Sequence, residues 1–183
     1  ALTRPGPIAQ AAAKAIAALG EAALPDVRIR LKDADAALQS RLSEVLAHIA
    51  SKKGLSALLD GFYNQDLESV LKNAVLVRHE VRGLDRKAKR GLMQELLKFL
   101  AIKKTRASEV ATIGALRILG YLEDETAAKT LLSFASSKFA SMVRSESLIA
   151  LRFAMSQRRD APEVVRALLA LVHDKDPKVG RTA

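Results

Sequence analysis

Apolar residues along this chain recur at i, i+3, i+4 and i+7, the spacing that gathers them on one stripe of an α-helix. Read this way, the sequence predicts ten amphipathic helices that alternate in two sets. The A set covers Ala22–Leu31, Gly54–Phe62, Arg86–Ile102, Thr126–Ala135 and Pro162–Val172. The B set covers Ile8–Leu19, Ala36–Ile49, Leu67–His79, Glu109–Leu122 and Met142–Met155. In the fourth B helix, Val110, Ile113, Leu116 or Ile118, and Leu119 make a stripe wider than a single seam, so that helix should touch neighbours on two sides.

Short polar breaks separate the helices and repeat at a regular interval. Asp176-Pro177-Lys178-Val179 reads as a turn opening a helix, with Pro177 in the first turn, where its missing N–H is not needed. Similar openings stand at Ser108-Glu109-Val110 and at Ser141-Met142-Val143-Arg144. Val110 and Val143 lie 33 residues apart, Val143 and Val179 lie 36 apart, and weaker copies anchor on Leu38 and Val70.

Such two-helix units, with a break of the type Asp-x-Asp-Pro-x-Val before the second helix, resemble the HEAT family of α-solenoid repeats. The resemblance rests on Asp174, Asp176, Pro177 and Val179 in the last unit, on Val143 and Arg144 before it, and on Val110, Ala115, Leu116 and Gly120 around position 110. The family usually places a base directly after the Val; Arg144 obeys, whereas Gly180 and Ala111 depart from the pattern. The implied fold is all-α: one domain over 1–183, an open right-handed solenoid of about five units. The units fall at 1–19 (partial), 20–50, 53–80, 84–122, 124–156 and 161–183 (partial). An opening B helix without an A partner, and a last residue one turn into another, lead us to expect more chain beyond Ala183 and before Ala1.

Composition agrees with a helical chain. Ala (32) and Leu (28) fill about a third of 183 positions, while Gly (9) and Pro (5) are too few for a sandwich of many short strands. Cys is absent, which excludes disulfides and thiolate metal sites. No apolar run approaches the roughly 20 residues of a membrane span. The expected location is the cytoplasm, although a Cys-free chain suits the periplasm equally.

No catalytic constellation is legible. The glycines are scattered singly, with no phosphate-cradling loop and no nucleophile elbow. His48, His79 and His173 stand far apart in sequence, each near the end of a predicted helix, where a cation is favoured without any ligand. Glu123, Asp124 and Glu125 lie just before a helix, where acids cap free N–H groups. We therefore expect a non-enzymatic chain with neither cofactor nor metal.

Charge is the remaining signal. Thirty bases against twenty acids give a net charge of +10, and +7 of it falls between Arg78 and Arg106. Asp85 is a plausible N-cap, followed by Arg86, Lys87, Lys89 and Arg90. These bases face the positive end of the helix dipole, at a cost of about 0.3–1 kcal/mol each at low salt. Lys103, Lys104 and Arg106 at the other end sit where cations are ordinary. The cluster of Arg78, Arg82, Arg86, Lys87, Lys89 and Arg90 is thus either a partner-binding patch or a solvated edge.

The resemblance implies a second surface, because B helices line the concave side of such solenoids and their polar residues make the contacts. Lys72, Arg78, Arg117, Arg144 and Arg152 would form a ladder there, together with Arg41 and with Arg181 beginning the next. The competing reading is that Arg144 and Arg181 bond to the turn aspartates of adjacent units. The functions that remain are a monomeric interaction scaffold for an acidic or extended protein partner, a phosphate-backbone nucleic-acid binder, and, at lower weight, a HEAT-like pigment lyase. The second is disfavoured because Trp is absent and Phe62, Phe99, Phe134 and Phe139 sit among apolar neighbours, leaving little for bases to stack on.

Overall fold

The computed structural model describes residues 2, 6–156, 158 and 161–183; the opening positions 1 and 3–5 of the first partial unit lie outside the described residues. Among the described residues every regular element is helical, with twelve α-helices, three short 3-10 turns and no strand. The chain divides into two compact units, Ala1–Glu95 and Leu96–Ala183, with the division inside the sixth helix.

The first unit holds α1 (Pro7–Ala18), α2 (Leu24–Lys32), α3 (Ala36–His48), α4 (Lys52–Gly61), α5 (Leu67–Val81) and the start of α6 (Arg86–Ala101). Capping fixes where these helices begin. Asp35, Ser51 and Asp66 each accept a hydrogen bond from the amide three residues on, at Leu38, Gly54 and Ser69. The A-type helix expected over 22–31 is instead a 3-10 turn over Gly20–Ala23 followed by α2, because Pro25 sits at the first turn of α2 and sets a new helix start.

Packing inside this unit runs in two rows. α1 packs on α3 and α3 on α5, while α2 packs on α4, and α3 also meets both α2 and α4. Leu46, Leu58, Leu59 and Phe62 are fully buried between them, and burying each contributes about 1.5–3 kcal/mol. One polar chain crosses this core. Asn73 donates to the Gln65 side chain at 2.9 Å, and Gln65 donates to the Ser43 hydroxyl at 2.8 Å, so the buried polar groups of α3 and α5 are satisfied by one another.

The second unit holds the end of α6, then α7 (Lys103–Ala107), α8 (Glu109–Tyr121), α9 (Ala128–Phe134), α10 (Ser141–Ala154), α11 (Pro162–Val172) and α12 (Pro177–Thr182). The same two rows recur, with α8 on α10 and α10 on α12 in one, and α9 on α11 in the other. α8 is buried on nearly all sides, as its wide apolar stripe predicts. Gly120 allows its closest approach to α10: a Cβ there would lie 2.6 Å from the Ala150 carbonyl oxygen.

Two elements differ from the sequence expectation. α7 is a separate short helix, because Ile102 turns extended after α6 and the Arg106 guanidinium bends back to the Leu100 carbonyl at 3.0 Å. The helix expected over 126–135 begins as a 3-10 turn, Glu125–Ala127, before α9. Buried hydroxyls tie the rows together, with Thr112 donating to Thr105 O at 2.7 Å and Ser147 donating to Leu131 O.

Candidate interaction surface

The expected ladder of bases is the place to begin, because the structure commits its members internally. Lys72, on α5, donates to Glu44 of α3 at 2.6 Å, and Glu44 also accepts from Arg41 at 3.0 Å. Arg117, on α8, makes a two-pronged pair with Glu146 of α10, with Nη2 to Oε2 at 2.5 Å, and reaches the Tyr121 hydroxyl at 3.4 Å. Arg144, on α10, is buried; it bonds Asp174 in the turn between α11 and α12 and donates to the Ala135 carbonyl at 3.1 Å. Lys72 and Arg117 each fasten a helix to the next of its own row, and Arg144 ties α10 to the end of α9 and to the turn before α12. Arg152 is exposed, with its guanidinium 5.5 Å from the centre of the Phe153 ring.

Of the two bases expected to meet turn aspartates, Arg144 does so. Arg181 donates to the Pro177 carbonyl of its own helix at 3.2 Å, an oxygen that α12 places one turn back. The acidic stretch before α9 caps as expected, since Asp124 accepts from the Thr126 amide at 2.9 Å. Asp176 caps α12 through the Lys178 amide at 2.8 Å.

The two internal carboxylates differ in their counter-charges, two bases on Glu44 and one on Glu146. Glu44 is 6% exposed and Glu146 is 5% exposed. Burial pushes Glu44 upward, yet the hydrogen bonds and charges of Lys72 and Arg41 outweigh it and hold the carboxyl below its ordinary value. Burial wins at Glu146, which lies above its ordinary value despite Arg117, while the bond to Glu146 drives Arg117 upward. Asp174 is lowered, first by the Asp176 amide and then by Arg144.

The basic cluster is built differently. Arg78, on α5, is half-buried and already engaged. Arg82 continues the helical backbone at the C-cap of α5, and Arg86, Lys87, Lys89 and Arg90 fill the opening of α6. Asp85 caps α6 by accepting from the Ala88 amide at 2.7 Å, and the first turn contains no acid. Arg82, Arg86, Lys87 and Arg90 are exposed and Lys89 half-exposed; among the described residues none of the five has an ion pair or side-chain hydrogen bond.

Lys52, which sequence reasoning passed over, belongs with this cluster. It is exposed, and its stem lies across α6 at Gly91, where a Cβ would be 2.5 Å from Lys52 Cε. Gly91, in the middle of an otherwise strong helix former, was the available signal.

A second feature lies on the row α1–α3–α5. A groove of about 690 Å³ runs along it, with Glu44 and His48 from α3, Lys72, His79 and Glu80 from α5, and an alanine-rich wall of α1 carrying Lys14. His48 Nδ1 lies 2.8 Å from Glu80 Oε1. Lys14 and Glu80 were not singled out in the sequence, because only the packing of three helices brings them together.

Among the described residues, no group of three or more His, Asp or Glu side chains is placed to hold a metal ion. No helix of the described residues is long and apolar enough to cross a membrane. Comparison with known proteins gives no match: no family model, no curated protein and no solved structure is similar to this chain.

Proposed function

We propose that this chain is a non-catalytic interaction module, a HEAT-like right-handed solenoid that docks an acidic protein segment along the cationic edge formed by Lys52, Arg82, Arg86, Lys87, Lys89 and Arg90. The repeat reading is supported by the packing of every second helix on the next of its kind, α1–α3–α5 and α2–α4 in one unit, α8–α10–α12 and α9–α11 in the other. Stacked two-helix units make these contacts, since each unit buries its apolar faces only against its neighbours.

One observation carries the functional reading. Lys72, Arg117 and Arg144 each pair with an acid of a neighbouring helix or turn, whereas the bases from Arg82 to Arg90 have no partner among the described residues. Arg86, Lys87, Lys89 and Arg90 are also placed where the α6 dipole opposes them. An acidic partner supplies the missing counter-charge and relieves that opposition. The phosphate-backbone alternative is less well served, because all seven aromatic side chains are buried or half-buried and none is presented for stacking.

Binding of fluorescein-labelled octaglutamate and of a labelled DNA duplex of equal charge, at about 50 mM salt where counterion release is most favourable, distinguishes the readings. The expected result is binding of the peptide, lost in Arg86→Glu/Lys87→Glu/Arg90→Glu with helical content unchanged. Tighter binding of the duplex would transfer the edge to nucleic acid, and equal peptide binding by the triple variant would remove its role.

A further inference from the structure

We infer that the α1–α3–α5 groove is a second subsite for the same acidic segment, taking carboxylate side chains between Lys14 of α1 and His79 of α5. This inference rests on the partner class assigned to the α6 edge, and it names where that partner continues.

The first ground is the state of the groove's own charges. Its two acids are already satisfied: Glu44 accepts from Lys72 and Arg41, and Glu80 meets His48. Two of its other polar side chains are not. Lys14 and His79 are exposed, line the groove from different helices, and have no ion pair or hydrogen bond among the described residues. Lys72 spends one N–H on Glu44 and keeps two donors on a side chain that is 60% exposed. What the groove lacks is therefore an acceptor, and an anion supplies one.

The second ground is shape. Ala13, Ala17 and Ala18 make the α1 wall, and side chains of that size let a peptide backbone pass close to the helix. The volume of about 690 Å³ is open-ended and suits side chains entering from a passing chain. It falls within the size range of ordinary ligand sites.

The third ground is continuity with the edge. α5 keeps helical backbone angles through Arg82, so Arg82 stands one turn beyond His79 at i+3, the spacing of neighbours on a helix surface. The line of available donors runs from Lys72 and His79 to Arg82, and then to Arg86 and Arg90 on the next helix.

The test uses the full chain, 15N-labelled, titrated with octaglutamate and followed by amide chemical shifts. A parallel affinity measurement compares Lys14→Glu, the milder Lys14→Gln, and the edge variant Arg86→Glu/Lys87→Glu/Arg90→Glu. The expected result is that amides of 13–18 on α1 shift together with those of 76–90, and that Lys14→Glu weakens binding about tenfold, the order of losing one close charge contact. Shifts confined to 82–90, with both Lys14 variants binding as the parent does, would overturn the groove while leaving the edge intact. No binding anywhere would overturn both. The α1 shifts are read on the unmodified chain, so a variant that fails to fold does not rescue the inference.

Discussion

Arg117 and Arg90 have the same chemistry and opposite employment. Arg117 lies between two helices of the second unit, half-buried, with both prongs of its guanidinium on Glu146. Arg90 lies on the opening of α6 in the first unit, exposed and with no partner among the described residues. A count of bases treats them alike. Their surroundings assign one to cohesion and leave the other to meet something else, so the surface worth testing is marked by unspent charge rather than by charge.

Cutting a committed base should give the largest effect. Arg117→Ala leaves Glu146 buried with no counter-charge, and the expected loss is about 3 kcal/mol of unfolding free energy, read from urea midpoints. Adding Glu146→Gln to Arg117→Ala should recover much of it, since the orphaned charge is then gone. Recovery of nothing would mean that the loss came from Arg117 packing alone.

The next effect compares two glycines. Gly120 faces the α10 backbone, which has no room to yield, so Gly120→Ala should destabilise by about 1–3 kcal/mol. Gly91 faces only the flexible end of Lys52. There Gly91→Ala should gain about 0.5–1 kcal/mol of helix propensity, with Lys52 displaced. Thermal unfolding of the two variants should move in opposite directions; equal losses would place Lys52 in a tighter contact than the edge requires.

Smaller effects should appear with pH. Glu44 has a lowered pKa in the folded chain, so its contribution is present above the ordinary carboxylate range and is lost as pH falls through the lowered value. Glu146 has a raised one, and its contribution is present at low pH and lost as pH rises through that value. Unfolding measured from about pH 3 to 7 should therefore show a flatter acid limb for Glu44→Gln and a smaller decline toward neutrality for Glu146→Gln. The reverse assignment would contradict the difference in counter-charge, two bases on Glu44 against one on Glu146.

The sequence alone made the helices legible, because apolar spacing reports a local geometry. Caps at Asp85 and Asp124 were legible for the same reason, as each acts within three residues. The pair of Arg144 with Asp174 was readable only through the resemblance. Glu44 with Lys72, and Glu146 with Arg117, lie 28 and 29 residues apart. Nothing local marks those partners, since they meet only when helix rows pack. The groove and Lys52 were hidden for the same reason.

The most direct measurement sets the two kinds of base side by side, with unfolding free energy and octaglutamate affinity determined for both Arg117→Ala and Arg86→Glu/Lys87→Glu/Arg90→Glu. The account predicts that the first loses stability and, while folded, binds as the parent does, whereas the second keeps its stability and loses the peptide. A folded Arg117→Ala that no longer binds, beside a triple variant that binds undiminished, would contradict it.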